Sequence, residues 1–415
     1  MIDIIQKRIQ ENPNKIFIQQ QNLSITYKKF NNMILNAMED VNHINFHYVG
    51  IQIKDKIKLL VLISALNRLN KIPVIYPCIP NVEDYIKTIN TPISITDYDI
   101  KTSKKQNKLK ETFQYNKNNT QLVIFTSGTT GLPKACELTY DNIYQSAIMW
   151  NNAINFNQED IYLNHMPLSH VSGICVFYRS LYCNFKMVLD DFNAQNYINI
   201  IKQYKITLIS MVPSMLQKII DIKTDLKELG KIRAIIMGGS NIRKNLIQII
   251  KKYNMPVYMS YGMTETCSGI AGYWIKSQDK YLPHNNVHIN VDKSCLTIKS
   301  KTIMKQYMNH ERTKGIISTQ DMCTIYKNNT FQINGRKDGV IISGGENISI
   351  QYIKNHIEQY PEIRKCNLKI VSDQKWGSVL HATLQCDGIV SQKKILQKLK
   401  DNLPKYMIPK RIVIQ

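Results

Sequence analysis

The first hundred positions alternate between helix-like and strand-like distributions of apolar residues. Apolar side chains recur every three to four positions at 2–12 and 28–41, which is the spacing of one helix face. Short runs rich in β-branched residues stand at 48–54 and 72–78, and an apolar helical stretch at 59–69 separates them. Strands that alternate with helices predict parallel strands joined by crossover helices.

The alternation resumes at residue 122 and continues past residue 250. Strand-like runs of about five residues precede helical runs of about a dozen, which is typical of a buried parallel sheet. The short runs of 281–332 predict a small antiparallel unit. We therefore predict an α/β protein. A large N-terminal domain (1–337) combines parallel or mixed sheets and helices with a β-rich part, and a small α+β C-terminal domain (338–415) follows as a lid.

Length and composition place the chain among globular proteins of two or three domains. Of 415 residues, 43% are hydrophobic and 20% are charged, which excludes a disordered chain. No apolar run reaches the ~18 residues of a membrane span. The first residues carry no apolar segment after a basic end, so we expect no secretory signal. Nine cysteines without a CxxC pair favour a reducing cytoplasm.

The net charge is strongly positive, because 54 Lys and Arg stand against 31 Asp and Glu to give +23. A basic chain invites a nucleic-acid interpretation, which would predict a steep salt dependence of DNA binding. The lysines are scattered, however, and the dense run at 101–117 contains few hydrophobic residues. We interpret that run as a solvated linker and expect no nucleic-acid partner.

The most informative motif is TSGTTGLPK at 126–134, directly after an apolar strand-like run. Its glycines, Gly128 and Gly131, let the main chain turn tightly and present N–H groups to phosphate oxygens. The hydroxyl groups add hydrogen-bond donors, and Lys134 adds a positive charge. The spacing differs from that of the Walker motif. The nonapeptide therefore predicts a phosphate-binding loop rather than a surface turn.

These nine residues resemble the phosphate loop of the adenylate-forming (AMP-binding) superfamily, which contains acyl-CoA synthetases, peptide-synthetase adenylation domains and luciferases. Other segments match that superfamily in the same order, at 238–240, 261–266, 319–321, 335–338 and 343–349. The resemblance implies a cytoplasmic acid–thiol ligase that uses ATP, Mg²⁺ and CoA. The residues that it implies for nucleotide binding are Thr126, Ser127, Gly128, Thr129, Thr130, Gly131, Lys134, Gly238, Gly239, Ser240, Tyr261, Gly262, Thr264, Asp321 and Arg336.

Individual roles follow from the same resemblance. Tyr261 would stack on adenine, Thr264 would contact the α-phosphate, and Glu265 would hold Mg²⁺. Asp321 would bind both ribose hydroxyls, and Arg336 would also bind the ribose. Attack of a carboxylate on an α-phosphate brings two anions together, so the reaction depends on positioning and charge neutralisation rather than on acid–base chemistry.

In the small domain the resemblance implies a hinge at Asp338 and a path for CoA beside Gly344 and Gly345. The mobile domain would rotate about this hinge between formation of the acyl-adenylate and formation of the thioester. The superfamily's small domain normally ends in a Leu-Pro-x-Thr-x-x-Gly-Lys stretch, whose lysine clamps the carboxylate and ATP. The sequence stops at Gln415, before such a stretch, so we expect a truncated small domain that reflects an incomplete chain or a weakened or one-step enzyme.

A narrower resemblance, to the o-succinylbenzoate–CoA ligases of menaquinone biosynthesis, lies in residues 166–182 and 193–216. It implies that His170 lies near the reacting carboxylate and that Arg179 meets a second carboxylate of the substrate, because a keto-dicarboxylate needs a counter-ion. The residues implied for the acyl substrate are His170, Ser172, Gly173 and Arg179. The catalytic residues would be His170, Thr264 and Lys134.

Other interpretations stay open. One is a different aryl or fatty acyl-CoA ligase or a carrier-loading adenylation domain, for which Arg179 would confer no dicarboxylate preference. Another is a degenerate nucleotide-binding paralogue that has lost adenylation activity, and a third is the basic nucleic-acid binder. The partners that we predict are a small carboxylic acid, ATP and CoA, and the sequence leaves open a homo-oligomer.

Overall fold

The computed structural model describes residues 1–79, 81–97, 112–127, 132–240, 242, 244–337, 340–360, 362–374, 376–386 and 390–415. The helices, in chain order, are α1 (Ile4–Glu11), α2 (Tyr27–Val41), α3 (Lys56–Arg68), α4 (Glu83–Ile89), α5 (Tyr140–Ile154), α6 (Val171–Cys183), α7 (Tyr197–Tyr204), α8 (Pro213–Asp221), α9 (Lys227–Lys231), α10 (Lys244–Lys252), α11 (Ile350–Glu358) and α12 (Gln392–Asn402). One further 3₁₀ turn covers Thr264–Thr266.

Strands are short and distributed over the whole length. In chain order they are β1 (Ile16–Gln20), β2 (Leu23–Thr26), β3 (Tyr48–Gln52), β4 (Ile72–Ile75), β5 (Ile93–Thr96), β6 (Thr120–Ser127), β7 (Pro133–Thr139), β8 (Ile161–Asn164), β9 (Lys186–Leu189), β10 (Leu208–Met211), β11 (Ala234–Met237), β12 (Val257–Met263), β13 (Ser268–Trp274), β14 (Leu282–Pro283), β15 (His288–Asp292), β16 (Cys295–Lys299), β17 (Gln306–Tyr307), β18 (Ile316–Ile325), β19 (Phe331–Arg336), β20 (Val340–Ser343), β21 (Glu346–Ser349), β22 (Ile363–Asp373), β23 (Gly377–Cys386) and β24 (Arg411–Ile414).

Two large sheets organise residues up to Tyr307. A nine-stranded sheet has the order β14-β13-β12-β11-β10-β8-β9-β1-β2, and its central strands β12, β11, β10, β8 and β9 run parallel. A six-stranded sheet has the order β17-β7-β6-β4-β3-β5, with β6, β4, β3 and β5 parallel. Crossover helices cover these strands, which explains their nearly continuous burial. The α/β class with parallel sheets is therefore confirmed.

The β-rich part and the final unit follow the predicted order as well. Strands β15, β16, β18 and β19 form an antiparallel sheet, as the short runs of 281–332 predicted. Residues 340–414 form a separate sheet of β21, β20, β23 and β22, with α11 and α12 packed into its own apolar core. The sequence analysis did not predict β24, which runs parallel to β23. No helix among the described residues is long and apolar enough to cross a membrane.

The predicted solvated linker at 101–117 is wrong for Phe113 and Tyr115, which are partly buried, while 101–111 lie outside the described residues. Phe113 accepts a hydrogen bond at its carbonyl from the Asp3 N–H, at 3.1 Å. The ring of Tyr115 stacks on that of Tyr140, with centroids 4.5 Å apart. The Phe113 ring lies against the Arg68 guanidinium at the end of α3, 4.6 Å from centroid to carbon. The local lysine-rich composition could not indicate these contacts.

A buried ion pair secures this contact. One carboxylate oxygen of Asp3 accepts the N–H groups of Ile5 and Gln6, so that Asp3 caps α1. The other oxygen accepts Arg68 Nε at 2.8 Å and the Tyr115 hydroxyl at 2.9 Å. Both charged side chains are almost fully buried, 0% exposed for Arg68 and 3% for Asp3. The pair joins α1, the end of α3 and the strand-like segment before β6.

We expect Asp3→Ala to lower the free energy of unfolding by ~3–5 kcal/mol, because the substitution leaves the Arg68 charge buried without its counter-charge. Urea denaturation measures this. The control is Lys87→Ala, which breaks the exposed pair with Glu83 at 3.6 Å and should cost less than about 1 kcal/mol. Equal small losses in both variants would show that the buried pair does not secure the N-terminal segment.

Candidate functional site

Lys134 lies where the phosphate loop returns to the sheet. Strand β6 ends at Ser127, β7 begins at Pro133, and Thr126 pairs with Lys134 across the antiparallel ladder. Thr126 and Lys134 are partly buried. The predicted loop residues between them, Gly128, Thr129, Thr130 and Gly131, lie outside the described residues. The ladder therefore fixes both ends of the loop and directs the start of β7 toward it.

The second nucleotide motif forms a tight connection between β12 and β13. Gly262 is required there, because a Cβ at this position would lie 2.2 Å from the Ser268 carbonyl oxygen. Within the 3₁₀ turn, the Thr266 hydroxyl accepts the Met263 N–H at 2.9 Å. The turn that carries Thr264 and Glu265 packs beside β6. Two motifs more than a hundred residues apart in sequence are thus brought to one place.

A tyrosine that the sequence analysis did not select connects these two motifs. The Tyr307 hydroxyl donates a hydrogen bond to Glu265 Oε1 at 2.6 Å. Its ring lies beneath Lys134 Nζ, 5.2 Å from ring centroid to nitrogen. Lys134, Tyr307 and Glu265 therefore form one group at the mouth of the phosphate loop. The stretch 302–308 carried no motif, so no local signal identified Tyr307.

Tyr261, Asp321 and Arg336 are brought together as a second group. The Tyr261 hydroxyl donates to Asp321 Oδ2 at 2.6 Å, and Arg336 Nη1 donates to Asp321 Oδ1 at 3.1 Å. Asp321 and Arg336 are register partners on β18 and β19. Burial and the neighbouring carboxylate raise the pKa of Tyr261 well above its ordinary value, so the hydroxyl keeps its proton and remains a donor.

The segment Gly238-Gly239-Ser240 follows β11 at the carboxyl end of the parallel strands. Gly239 has φ +79°, a conformation that glycine adopts without the penalty of a Cβ. A Cβ there would lie 3.2 Å from the Val212 side chain and 3.4 Å from the Gly345 carbonyl oxygen. The segment therefore lies directly beside the glycine turn of the C-terminal unit.

His170 stands at the start of α6, exposed enough to meet a ligand. It occupies the N-cap position without a capping hydrogen bond from its side chain. Its Nε2 lies 3.7 Å from Glu346 Oε1, and both side chains are about one-third exposed, at 37% and 35%. Ser172 is half-buried. At Gly173 a Cβ would lie 2.2 Å from the Pro167 carbonyl oxygen, so only glycine permits this close approach.

Arg179 lies further along α6 and is only 3% exposed. Its guanidinium carbon lies 4.5 Å from the centroid of the Trp150 ring. Its Nη2 donates to the Ser268 hydroxyl, which also accepts the Trp150 indole N–H at 3.1 Å. Ser268 has φ 108° and Cys267 has φ 53°, both unusual for residues with side chains. This strained turn directs the Ser268 hydroxyl at the arginine.

A neutral histidine completes the surroundings of this guanidinium. His284 Nε2 lies 2.7 Å from the Tyr258 hydroxyl, and its ring packs edge-to-face with Trp150 at 5.3 Å. Burial, together with the positive charge of Arg179, lowers the pKa of His284 to about 4. The histidine is therefore uncharged at neutral pH and does not compete with Arg179 for an anion.

The glycine turn between β20 and β21 packs between the large and small units. Gly344 and Gly345 have φ +62° and +94°. A Cβ on Gly344 would lie 2.7 Å from the Trp376 ring, and one on Gly345 would lie 2.8 Å from Val212. Lys218 and Lys410 approach the same Trp376 ring, with nitrogen-to-centroid distances of 4.9 and 4.3 Å. The predicted hinge residue, Asp338, lies outside the described residues.

The described residues contain no cluster of three or more His, Cys, Asp or Glu side chains that could hold a metal ion by themselves. Glu265 offers one carboxylate, of which Tyr307 occupies one oxygen. Mg²⁺ is commonly held by one or two carboxylates together with substrate phosphates. The residues present therefore fit a magnesium ion that arrives with a nucleotide, rather than a resident ion.

Comparisons with known proteins found a matching family and several relatives. The AMP-binding enzyme family matches residues 57–303. The 2-succinylbenzoate–CoA ligase of Staphylococcus aureus (strain MSSA476) is 30% identical over 313 residues, which cover 71% of this chain and 63% of that protein. The corresponding ligase of Bacillus licheniformis is 31% identical over 310 residues, covering 69% and 64%. The chain thus spans less than two thirds of the length of these relatives.

A solved structure shows the same fold over the whole chain. A double mutant of o-succinylbenzoate CoA synthetase from Bacillus subtilis, bound with a product analogue, superposes with a TM-score of 0.88. The alignment covers 100% of this chain and 95% of that one at 22% identity.

The low pKa of His284 predicts that the folded chain loses stability as the pH falls. Its pKa of about 4 lies below the ~6.5 of an unfolded histidine, so the unfolded chain binds the extra proton first as the pH falls. The stabilising effect of the neutral ring is complete above pH ~6.5 and declines toward pH 4. His284→Gln, which can keep a hydrogen bond to Tyr258, should therefore lose less unfolding free energy than the unaltered chain between pH 7 and pH 5, by about 1–2 kcal/mol.

Denaturant midpoints at the two pH values measure the difference. The control is the same substitution at His288, which is exposed and does not contact Trp150 or Tyr258 in the recorded interactions of the described residues. If His284→Gln and the unaltered chain lose equal stability on acidification, His284 does not titrate in this way.

Proposed function

Because the chain belongs to the AMP-binding enzyme family, we propose that it joins a carboxylic acid to CoA at the expense of ATP. In the first step a carboxylate oxygen attacks the α-phosphorus and pyrophosphate leaves. In the second step the CoA thiol loses its proton and attacks the acyl carbonyl, and AMP leaves. The acid that we propose is o-succinylbenzoate, as the names of the relatives suggest, which would place the chain in menaquinone biosynthesis.

The observation that carries this proposal is the buried guanidinium of Arg179. Among the described residues, the recorded partners of this side chain are a ring and hydroxyl groups, and no carboxylate forms an ion pair with it. Its Nε has no hydrogen-bond partner in the described part of the chain. A buried charge without a counter-charge is costly, so a substrate carboxylate would relieve that cost. A fatty acid would offer no such group.

The position of Arg179 also fits a substrate with two carboxylates. His170 is the N-cap residue of α6, and Arg179 lies nine residues further along the helix. Nine residues correspond to about 13.5 Å along the helix axis. Long helical side chains lean toward the N-terminus, which shortens the distance from the guanidinium to His170. Ser268, the hydroxyl partner of Arg179, follows Thr264 closely in sequence. One carboxylate would bind at Arg179 while the other reaches the α-phosphate at Thr264.

Charge neutralisation would come from the group at the mouth of the phosphate loop. Lys134 lies opposite Thr126 and would meet the phosphate oxygens. Glu265, with one oxygen held by Tyr307, would bind the magnesium ion that accompanies ATP. The ion would screen the phosphate charges. Donors that are already in place stabilise the charge of the transition state without reorganisation, which is the main source of rate in this kind of reaction.

The nucleoside would lie beside the second group. Asp321, already oriented by Tyr261 and Arg336, would accept both ribose hydroxyls. The Tyr261 ring would stack on adenine, and the main chain of 238–240 would line the edge of the base. Because the Tyr261 hydroxyl is committed to Asp321, the same bond would orient both the stacking ring and the ribose contact.

The C-terminal unit would serve the second step. Its glycine turn reaches the large unit beside Val212 and Gly239, and Glu346 approaches His170. The Trp376 ring packs on Gly344 in this turn. The pantetheine arm of CoA would enter along the turn, as the resemblance to the superfamily implies. We propose a division into domains at residues 337 and 338, with Asp338 as the hinge between the two steps. A cytoplasmic location stays a prediction, and a homo-oligomer stays open.

We expect Lys134→Ala to slow ATP–pyrophosphate exchange by ~10²-fold or more, because one preorganised charge at the phosphates is lost. The assay measures isotope exchange into ATP with o-succinylbenzoate as the acid. Lys117→Ala, at an exposed lysine before β6, serves as the control and should exchange like the unaltered chain. Unchanged exchange in Lys134→Ala would contradict the assignment of the phosphate loop.

We expect Arg179→Leu to raise KM for o-succinylbenzoate by ~10²-fold or more while leaving KM for ATP nearly unchanged, because the substrate carboxylate would lie in an apolar pocket unpaired. The measurement is formation of o-succinylbenzoyl-CoA from acid, ATP and CoA. Arg312→Leu changes an exposed arginine and is the matched control.

A panel of carboxylic acids tests the proposed substrate independently of the proposed ligase reaction. The unaltered chain should prefer o-succinylbenzoate over benzoate and over a medium-chain fatty acid. If a monocarboxylic acid is the better substrate, the proposed substrate is wrong although the ligase proposal survives. If no acid supports pyrophosphate exchange or thioester formation, the proposed activity itself is wrong.

A further inference from the structure

Tyr307 occupies an unusual position between an acidic and a basic side chain. Its hydroxyl donates to Glu265 Oε1 at 2.6 Å, and its ring face carries Lys134 Nζ at 5.2 Å from the centroid. A hydroxyl–carboxylate bond of this length is a strong, charge-assisted one. An ammonium group over an aromatic face is attracted by the electron-rich ring. One side chain thus contacts both charged residues through different parts of its structure.

The main chain fixes Tyr307 from two sides. Strand β17 pairs antiparallel with β7, where Tyr307 lies opposite Cys136. The Met308 N–H donates to the Ala135 carbonyl at 2.8 Å, next to Lys134. The Met304 N–H donates to the Glu265 carbonyl, also at 2.8 Å. The segment 304–308 is therefore bound to both motifs, and the tyrosine cannot move away from either without breaking these bonds.

The Tyr307 hydroxyl fixes the orientation of the Glu265 carboxylate through one hydrogen bond. A protonated phenol has one hydrogen to donate, and here it goes to Glu265 Oε1. The carboxylate is therefore held in one rotation, with its second oxygen left for another ligand.

We propose that Tyr307 is a positioning residue that orients the Glu265 carboxylate toward magnesium-bound nucleotide and holds Lys134 at the phosphates. This inference rests on the proposed function, because it concerns the same nucleotide site. The hydroxyl and the ring have separable roles. Loss of the hydroxyl alone should affect the magnesium dependence of nucleotide binding, and loss of the ring should also affect magnesium-free binding.

The test uses calorimetric binding of a non-hydrolysable ATP analogue to the full chain over a range of Mg²⁺ concentrations. Tyr307→Phe keeps the ring beneath Lys134 and removes only the hydroxyl. It should raise the half-saturating Mg²⁺ concentration about tenfold, because groups that orient a metal ligand typically contribute 10–100-fold to metal affinity. Its affinity for the analogue without Mg²⁺ should stay within about twofold of the unaltered chain.

Tyr307→Leu should show the same magnesium effect and should also weaken magnesium-free binding of the analogue by about threefold or more. Tyr326 provides the matched control, because its hydroxyl bonds Gln332 at 3.1 Å and its ring carries Lys280 at 3.8 Å, outside the proposed site. Tyr326→Phe and Tyr326→Leu should bind the analogue like the unaltered chain at every Mg²⁺ concentration.

Three results would overturn the inference. One is an unchanged half-saturating Mg²⁺ concentration in Tyr307→Phe. Another is a loss of analogue binding in Tyr307→Phe that is equal with and without Mg²⁺, which would indicate a purely structural role. The third is magnesium-independent binding by the unaltered chain, which would remove the role of Glu265 as well. Failure of every acid to support pyrophosphate exchange, with the magnesium shifts intact, would contradict the proposed function alone.

Discussion

The acyl end of the site is organised around one buried positive charge. The Arg179 guanidinium lies against Trp150 and Ser268, and His284, which packs on the same Trp150 ring, is kept neutral by burial and by the arginine itself. A cation in such surroundings is stabilised only in part by ring and hydroxyl contacts, because neither carries a full negative charge. The strained turn at Cys267 and Ser268 is consistent with this arrangement, since backbone strain is retained where the surrounding structure requires it. Under the proposed function, an anionic substrate would supply the missing counter-charge.

At the proposed nucleotide end, by contrast, the carboxylates already accept hydrogen bonds from neighbouring side chains. Tyr307 holds Glu265, and Tyr261 and Arg336 hold Asp321. The two tyrosine bonds connect elements that are 42 and 60 residues apart, and the arginine bond joins the neighbouring strands β18 and β19. Such contacts fix side chains before a ligand arrives, which lowers the cost of ordering them on binding. The site that we propose would therefore combine a preorganised nucleotide half with an acyl half that its substrate completes by charge balance.

The C-terminal unit contributes through close main-chain approach rather than through charge. Gly344 and Gly345 permit the turn to reach Trp376 on one side and Val212 on the other. A hydrogen bond from the Tyr352 hydroxyl to Asp84, at 2.8 Å, and the approach of Glu346 to His170 join the same unit to α4 and α6. Polar contacts between two units of one chain are of the kind that permits their relative movement.

Local sequence determined the parts of this protein that depend on short-range chemistry. The alternation of β-branched runs with helical runs predicted the parallel sheets, and the nonapeptide at 126–134 predicted a phosphate-binding loop, because turns, hydroxyl donors and glycine conformations are properties of a few consecutive residues. The role of Glu265 was implied only by the resemblance of 261–266 to a motif of the superfamily. Packing over long sequence distances decided the rest. The burial of Phe113 and Tyr115 within a lysine-rich run, the selection of Ser268 as the partner of Arg179, and the position of Tyr307 between two motifs depend on which strands become neighbours, and no local pattern carries that information.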